Sequence, residues 1–199
     1  MTKPFILGLT GSIGMGKSAV AAMFREAGVP VFDADAAVHE LQGPHGALLA
    51  AIEQEFPGST NADGVNRPKL GAAVFGDPAA LKRLEAIVHP AVAELRGSFL
   101  AKHTAAPLIV FDIPLLYEKS GHSGLDAVAV VSASAQQQRE RVLARPGMTE
   151  EKFTKILGLQ VPDAEKRHRA DYVIDTGVSR DQTRQAVQQL VQKLKSGEK

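Results

Sequence analysis

The chain has 199 residues, 44% hydrophobic and 23% charged, the proportions of an ordinary globular protein, which exclude a disordered, fibrous or coiled-coil class. A formal net charge of +1 removes any global electrostatic case for nucleic acid or an anionic membrane. With no cysteine there is no disulfide, thiolate nucleophile or zinc–thiolate site, and the length favours a single domain with a small insertion.

Met1–Phe5 carries one Lys and runs into a short apolar stretch interrupted by Gly8 and Thr10, far short of a signal or membrane segment. A cytoplasmic protein is expected, in keeping with the lack of cysteine. Phe5–Leu9 reads as a first strand, and Gly11-Ser12-Ile13-Gly14-Met15-Gly16-Lys17-Ser18 follows it. These eight residues fit G-x-x-x-x-G-K-[ST] between a strand and a helix that begins near Lys17. Glycines there let several backbone N–H groups converge on phosphate oxygens, and the helix N-terminus adds partial positive charge. Lys17 is expected to bridge the β- and γ-phosphates of a nucleoside triphosphate, and the Ser18 hydroxyl to ligate magnesium. A chance glycine turn is the plain alternative, and the strand and helix on either side argue against it.

Val29–Phe32 reads as the second strand and delivers Asp33-Ala34-Asp35 at its carboxyl end, where ligands gather in open α/β sheets. Asp33 is the candidate general base for an incoming hydroxyl, with Asp35 as a second acceptor-side carboxylate. One of the pair can instead cap the helix that starts near Ala36. About seventy residues then precede the third strand, with helical stretches near Ala47–Phe56, Leu70–Phe75, Ala79–Val88 and Ala91–His103, punctuated by Gly43-Pro44, Pro57-Gly58, Asp77-Pro78 and His89-Pro90. An inserted helical subdomain is expected over about 43–105.

Leu108–Phe111 reads as the third strand and ends at Asp112, an acid placed to hold magnesium or simply to start a turn. The next residues, Pro114, Leu115 and Leu116 among them, line an acceptor pocket or belong to the core. Ala127–Val131 reads as the fourth strand. The polar, basic segment that follows places Arg141 and Arg145 four apart on one expected helix, with Arg139 offset around the axis. A small helical lid over about 136–169 can carry such arginines to the charge that develops on a transferring phosphoryl group, and Arg145 is the candidate for that role. Thr149-Glu150-Glu151 resembles a helix start. Tyr172–Ile174 is the last strand, followed by Asp175-Thr176-Gly177. Alternation of strands and helices predicts a three-layer αβα P-loop NTPase fold on a five-stranded parallel sheet, with core segments at about 1–42, 106–135 and 170–199. The histidines show no metal-ligand spacing.

Together GSIGMGKS, Val31-Phe32-Asp33-Ala34-Asp35, Ile87-Val88-His89-Pro90, Asp112-Ile113-Pro114-Leu115-Leu116 and Ala170-Asp171-Tyr172-Val173-Ile174-Asp175 resemble the dephospho-coenzyme A kinase family over nearly the whole chain. The resemblance implies ATP-dependent phosphorylation of the ribose 3′-hydroxyl of dephospho-coenzyme A, the last step of coenzyme A synthesis, on a core, an acceptor domain and a lid. It implies that Asp33 is the base, Arg145 a lid arginine and His89-Pro90 part of the acceptor side. Where that family commonly has Asn after the last strand, this chain has Thr176-Gly177, and Gln160 matches a recurring lid glutamine whose role the sequence does not disclose.

Another small-molecule kinase, acting on a nucleoside monophosphate, shikimate or gluconate, shares the core machinery. A GTP-operated switch is disfavoured because no Asn-Lys-x-Asp occurs, and two Tyr without Trp give no basic aromatic face for nucleic acid. The expected partner is a small molecule, the expected cofactors are ATP and Mg2+, and a monomer or weak homo-oligomer is expected.

Overall fold

The computed structural model describes residues 3–118 and 124–197. In chain order its elements are β1 (Phe5–Thr10), α1 (Lys17–Glu26), β2 (Val31–Asp33), α2 (Ala34–Gln42), α3 (Leu49–Glu55), β3 (Thr60–Asn61), β4 (Gly64–Val65) and α4 (Arg67–Val74). They continue with α5 (Pro78–Lys102), β5 (Leu108–Asp112), β6 (Ala127–Ser132), α6 (Ala135–Leu143), α7 (Glu150–Gly158), α8 (Asp163–Arg169), β7 (Tyr172–Asp175) and α9 (Arg180–Ser196).

The five apolar runs form one parallel sheet in the order β2-β5-β1-β6-β7. β1 is central: Phe5–Leu9 pairs with Leu108–Asp112 on one side and Leu7–Thr10 with Ala127–Val130 on the other. Each strand presents alternate residues to opposite faces, so an apolar run fills two cores. Leu7, Leu9, Leu108, Val110, Ala129 and Val131 pack against Val20 and Phe24 of α1 and Val187, Val191 and Leu194 of α9. Val128 and Val130 face the other way, towards Leu116 and Tyr117. Burying a side chain such as Phe24, which has no exposed surface, contributes about 1.5–3 kcal/mol.

The chain divides into two compact units, one of residues 1–32 and 103–199 and one of residues 33–102. The second unit begins one helix earlier than the Gly43-Pro44 punctuation suggests, because Leu41 of α2 joins its core with Leu48, Ile52, Phe56, Leu70 and Ala80. Its short β3–β4 hairpin has no signal in the apolar pattern. Glu53 organises it, accepting from the Thr60 hydroxyl and N–H and from the Gly58 N–H, and these bonds, the Thr60 hydroxyl first, hold its carboxyl below the ordinary value.

One expectation fails inside this unit: His89-Pro90 does not end a helix, and α5 runs unbroken from Pro78 to Lys102 with Pro90 inside it. Pro90 removes one intrahelical hydrogen bond and crowds the preceding turn. Packing prevails, because Leu84, Ile87, Val88, Ala91, Val92 and Leu95 lie on one stripe against the unit's core on both sides of the proline. Pro90 is itself exposed, so Pro90→Ala is expected to stabilise the chain by about 1–3 kcal/mol, read as a higher urea midpoint at unchanged m-value.

Candidate active site

Residues 11–16 leave the end of β1 as a tight loop, and α1 starts at Lys17 as the sequence predicts. The curl depends on left-handed backbone at Gly14 (φ 78°) and at Gly16 (φ 87°), the N-cap of α1. A Cβ on Gly14 would also stand 2.5 Å from Val142 Cγ2 and 2.9 Å from the Gln138 carbonyl oxygen. Side chains from three other segments brace the loop. Gln138 Nε2 donates to the Ile13 carbonyl at 2.8 Å, Gln160 Oε1 accepts the Ile13 N–H at 3.1 Å, and the Thr176 hydroxyl donates to the Met15 carbonyl at 2.8 Å. Met15 N–H closes back on the Ser12 carbonyl at 3.1 Å. Among the described residues, the N–H groups of Gly14, Gly16, Lys17 and Ser18 have no protein acceptor. A short loop with several unanswered amides at a helix N-terminus is a receptor for an anion.

Lys17 and Asp112 meet here. Lys17 Nζ lies 2.5 Å from Asp112 Oδ1, and the carboxylate side chain is 4% exposed against 17% for the lysine. Asp112 ends β5, which lies beside β1, so the parallel register carries the acid to the level of the loop. Ser18, in the first turn of α1, is exposed. An exposed hydroxyl and a carboxylate at the strand end are oxygen donors that suit magnesium, whose other ligands are ordinarily water and phosphate.

The arginines separate. α6 ends at Leu143, and Arg145 stands in the turn beyond it, because the residue before Pro146 disfavours helix. Arg141 and Arg145 therefore do not share a helix face. Arg145 is exposed, and its guanidinium has no hydrogen-bond or ion-pair partner among the described residues. Arg141 reaches Thr176, with Nη1 on the hydroxyl at 3.1 Å and Nη2 on the carbonyl at 2.6 Å, and so holds the segment after β7. Arg139 pairs with Glu150 in the first turn of α7, whose N-cap is Thr149 as expected. Leu116 is fully buried in the core, the second of its two sequence readings, whereas Pro114 is half-buried and Leu115 exposed.

In the other unit, Asp33 closes β2 and caps α2, Oδ1 accepting from Ala36 N–H at 2.9 Å. Asp35 is exposed in the first turn of α2, and His89 is exposed midway along α5.

Sequence reasoning missed the polar framework behind the loop. Lys166 has no exposed surface, and its ammonium lies 2.7 Å from Glu118 Oε1, which also accepts from Val161 N–H at 2.9 Å. Asp163 Oδ2 accepts from the Ser132 hydroxyl at 2.7 Å. A single buried Lys gives no signal in a local pattern, since Lys is ordinarily a surface residue. Burial alone would push the Glu118 carboxyl up, but Lys166 and the Val161 N–H outweigh it and hold the group below the ordinary value.

The family model for dephospho-CoA kinase matches residues 5–182. A dephospho-CoA kinase of Novosphingobium aromaticivorans is 67% identical, over 98% of this chain and 97% of that protein. One of Mesorhizobium japonicum is 54% identical, over 96% of each. The crystal structure of TT1252 from Thermus thermophilus shares the fold with a TM-score of 0.85 at 35% identity, over 97% of this chain and 99% of that one.

The Glu118–Lys166 pair leads to a pH prediction. A carboxyl with a lowered folded value stabilises the protein above its unfolded value, about pH 4.3, and that stability is lost as pH falls through the folded value. Glu118→Gln leaves the buried ammonium uncompensated and is expected to cost about 3 kcal/mol or more near neutrality. It is also expected to flatten the loss of stability below about pH 4.3, as read by urea unfolding between pH 7 and 3.

Proposed function

The chain belongs to the dephospho-CoA kinase family, and from that premise we propose that it transfers the γ-phosphate of ATP to the ribose 3′-hydroxyl of dephospho-coenzyme A, giving coenzyme A and ADP. The observation that carries this reading is the loop itself. Its Gly14, Gly16, Lys17 and Ser18 amides lack protein acceptors, and beside them a lysine is paired with a buried strand-end carboxylate.

Charge explains the pairing. With no triphosphate bound, Lys17 and Asp112 neutralise each other at little net gain or cost, as buried pairs generally do. A triphosphate offers Lys17 a stronger set of acceptors, so the ammonium turns to the β- and γ-phosphates while the loop amides receive their oxygens. Ser18 and Asp112 are the residues that would hold magnesium. Magnesium, when bound, neutralises phosphate charge during transfer.

Asp33 is the proposed base. As the acceptor oxygen bonds to the γ-phosphorus, the carboxylate takes the hydroxyl proton, and the β–γ bridging oxygen leaves with its electron pair on ADP. Its capping bond uses Oδ1, so the same residue fixes the first turn of α2. Arg145, exposed in the turn after α6, is proposed to meet the transferring phosphoryl group, and residues 136–169 to serve as the lid that carries it. Asp35 and His89 are proposed as acceptor-binding residues, as are Pro114 and Leu115. No helix among the described residues is long and apolar enough to cross a membrane.

Two measurements test the reading. ADP release with ATP and magnesium is expected with dephospho-coenzyme A and not with AMP, shikimate, gluconate or no acceptor, with one phosphate added to the product mass. Turnover confined to another acceptor would replace the assignment. Asp33→Asn keeps a good N-cap but cannot take a proton. It is expected to lower kcat by about a hundredfold or more while leaving the ATP dissociation constant within about twofold. An Asn variant of near wild-type activity would remove Asp33 from the base role.

A further inference from the structure

Ile13 is gripped at both of its backbone polar groups by side chains distant in sequence. Gln160 Oε1 takes its N–H at 3.1 Å, and Gln138 Nε2 holds its carbonyl at 2.8 Å. In a trans peptide the N–H and C=O of one plane point in opposite directions, so each bond orients a whole plane. The Ser12–Ile13 plane is held at its N–H by Gln160 and at its carbonyl by Met15 N–H. The Ile13–Gly14 plane is held at its carbonyl by Gln138, which aims the Gly14 N–H away from Gln138 and leaves it without a protein acceptor among the described residues. A flip of the first plane breaks the Gln160 and Met15 bonds together and frees the backbone on which the Gly14 amide depends.

Gln160 is itself held in place. It lies on the connection between α7 and α8, whose Val161 N–H is bonded to Glu118, and Glu118 is paired with the fully buried Lys166. Two residues beyond Val161, Asp163 accepts from Ser132 at the end of β6, the strand that also supplies the carbonyl held by Thr176 N–H. The residues that follow Gln160 are thus tied at Val161 to Glu118 and at Asp163 to Ser132, at the end of a strand of the sheet that carries the phosphate loop. Leu159, just before it, is 75% exposed, so apolar packing at that neighbour does not account for its position.

We propose that Gln160 is a positioning residue for phosphoryl transfer. It locks the Ser12–Ile13 peptide and so holds the Gly14 amide in the orientation that donates to a phosphate oxygen, and the Glu118–Lys166 pair fixes where Gln160 stands. The proposal rests on the reading of residues 11–18 as the ATP site. It predicts a selective effect on the nucleotide, because the dephospho-coenzyme A side is not addressed by these bonds.

The test is Gln160→Met in the full chain, which keeps the length of the side chain and removes the acceptor oxygen. Amide hydrogen exchange without nucleotide is expected to quicken at Ile13 and Met15. ATP binding, measured by calorimetry, is expected to weaken about five- to tenfold, with KM for ATP rising in step. KM for dephospho-coenzyme A should stay within twofold, and the melting temperature within about 2 °C. Gln160→Glu keeps an oxygen acceptor and is expected to retain protection at Ile13. Unchanged ATP affinity in Q160M overturns the proposal, and so does a comparable rise in both KM values or loss of Ile13 protection in folded Q160E. Absence of dephospho-coenzyme A turnover in the wild-type protein would overturn the functional reading alone, since exchange and ATP binding still decide the role of Gln160.

Discussion

Strand β1 lies between β5 and β6, hydrogen-bonded along both edges, and the loop that follows it depends on that double support. A strand held on one side can shift or twist at its end. Held on both, β1 delivers Gly11 at a fixed place, and its neighbours bring Asp112 and Ser132 to the same edge in parallel register. The apolar alternation that buries Leu7 and Leu9 on one face is therefore also what aims the loop.

From that fixed end the loop has to leave some amides unanswered without collapsing onto itself. Orphaned backbone groups cost free energy when buried, and a protein that needs them for a ligand must answer the others well. Here the polar groups of Ile13 and the carbonyls of Ser12 and Met15 are all bonded, three of the four bonds to side chains from α6, the α7–α8 connection and the segment after β7. The amides left over are grouped at the start of α1, where the helix dipole favours an anion. Lys17 and Asp112 follow the same logic with full charges, each compensating the other.

Rigidity is distributed unevenly along the segment after β6. Lys166, Glu118, Asp163 and Ser132 tie its end to the sheet through buried or half-buried bonds, while Arg145 stands exposed in a turn between helices. Groups held by many buried contacts open rarely, and groups with few open readily. Gln160 stands near the tied end of that segment and Arg145 in its exposed turn.

The apolar runs determined the five strands to within a residue or two, because burial on both faces leaves a pattern that local sequence carries. The glycine spacing determined the phosphate loop, because left-handed backbone at Gly14 and Gly16 needs that residue type. Thr149 as a cap was legible for the same local reason. Only the tertiary structure decided that α5 continues through Pro90, since the deciding term is a stripe of distant apolar partners rather than the proline's own preference. Only it decided that Arg141 binds Thr176, that Leu116 is core, that Lys166 is buried, and that Gln160 grips Ile13. Each of those outcomes pairs residues far apart in the chain, and local periodicity carries no record of which distant group a polar side chain will meet.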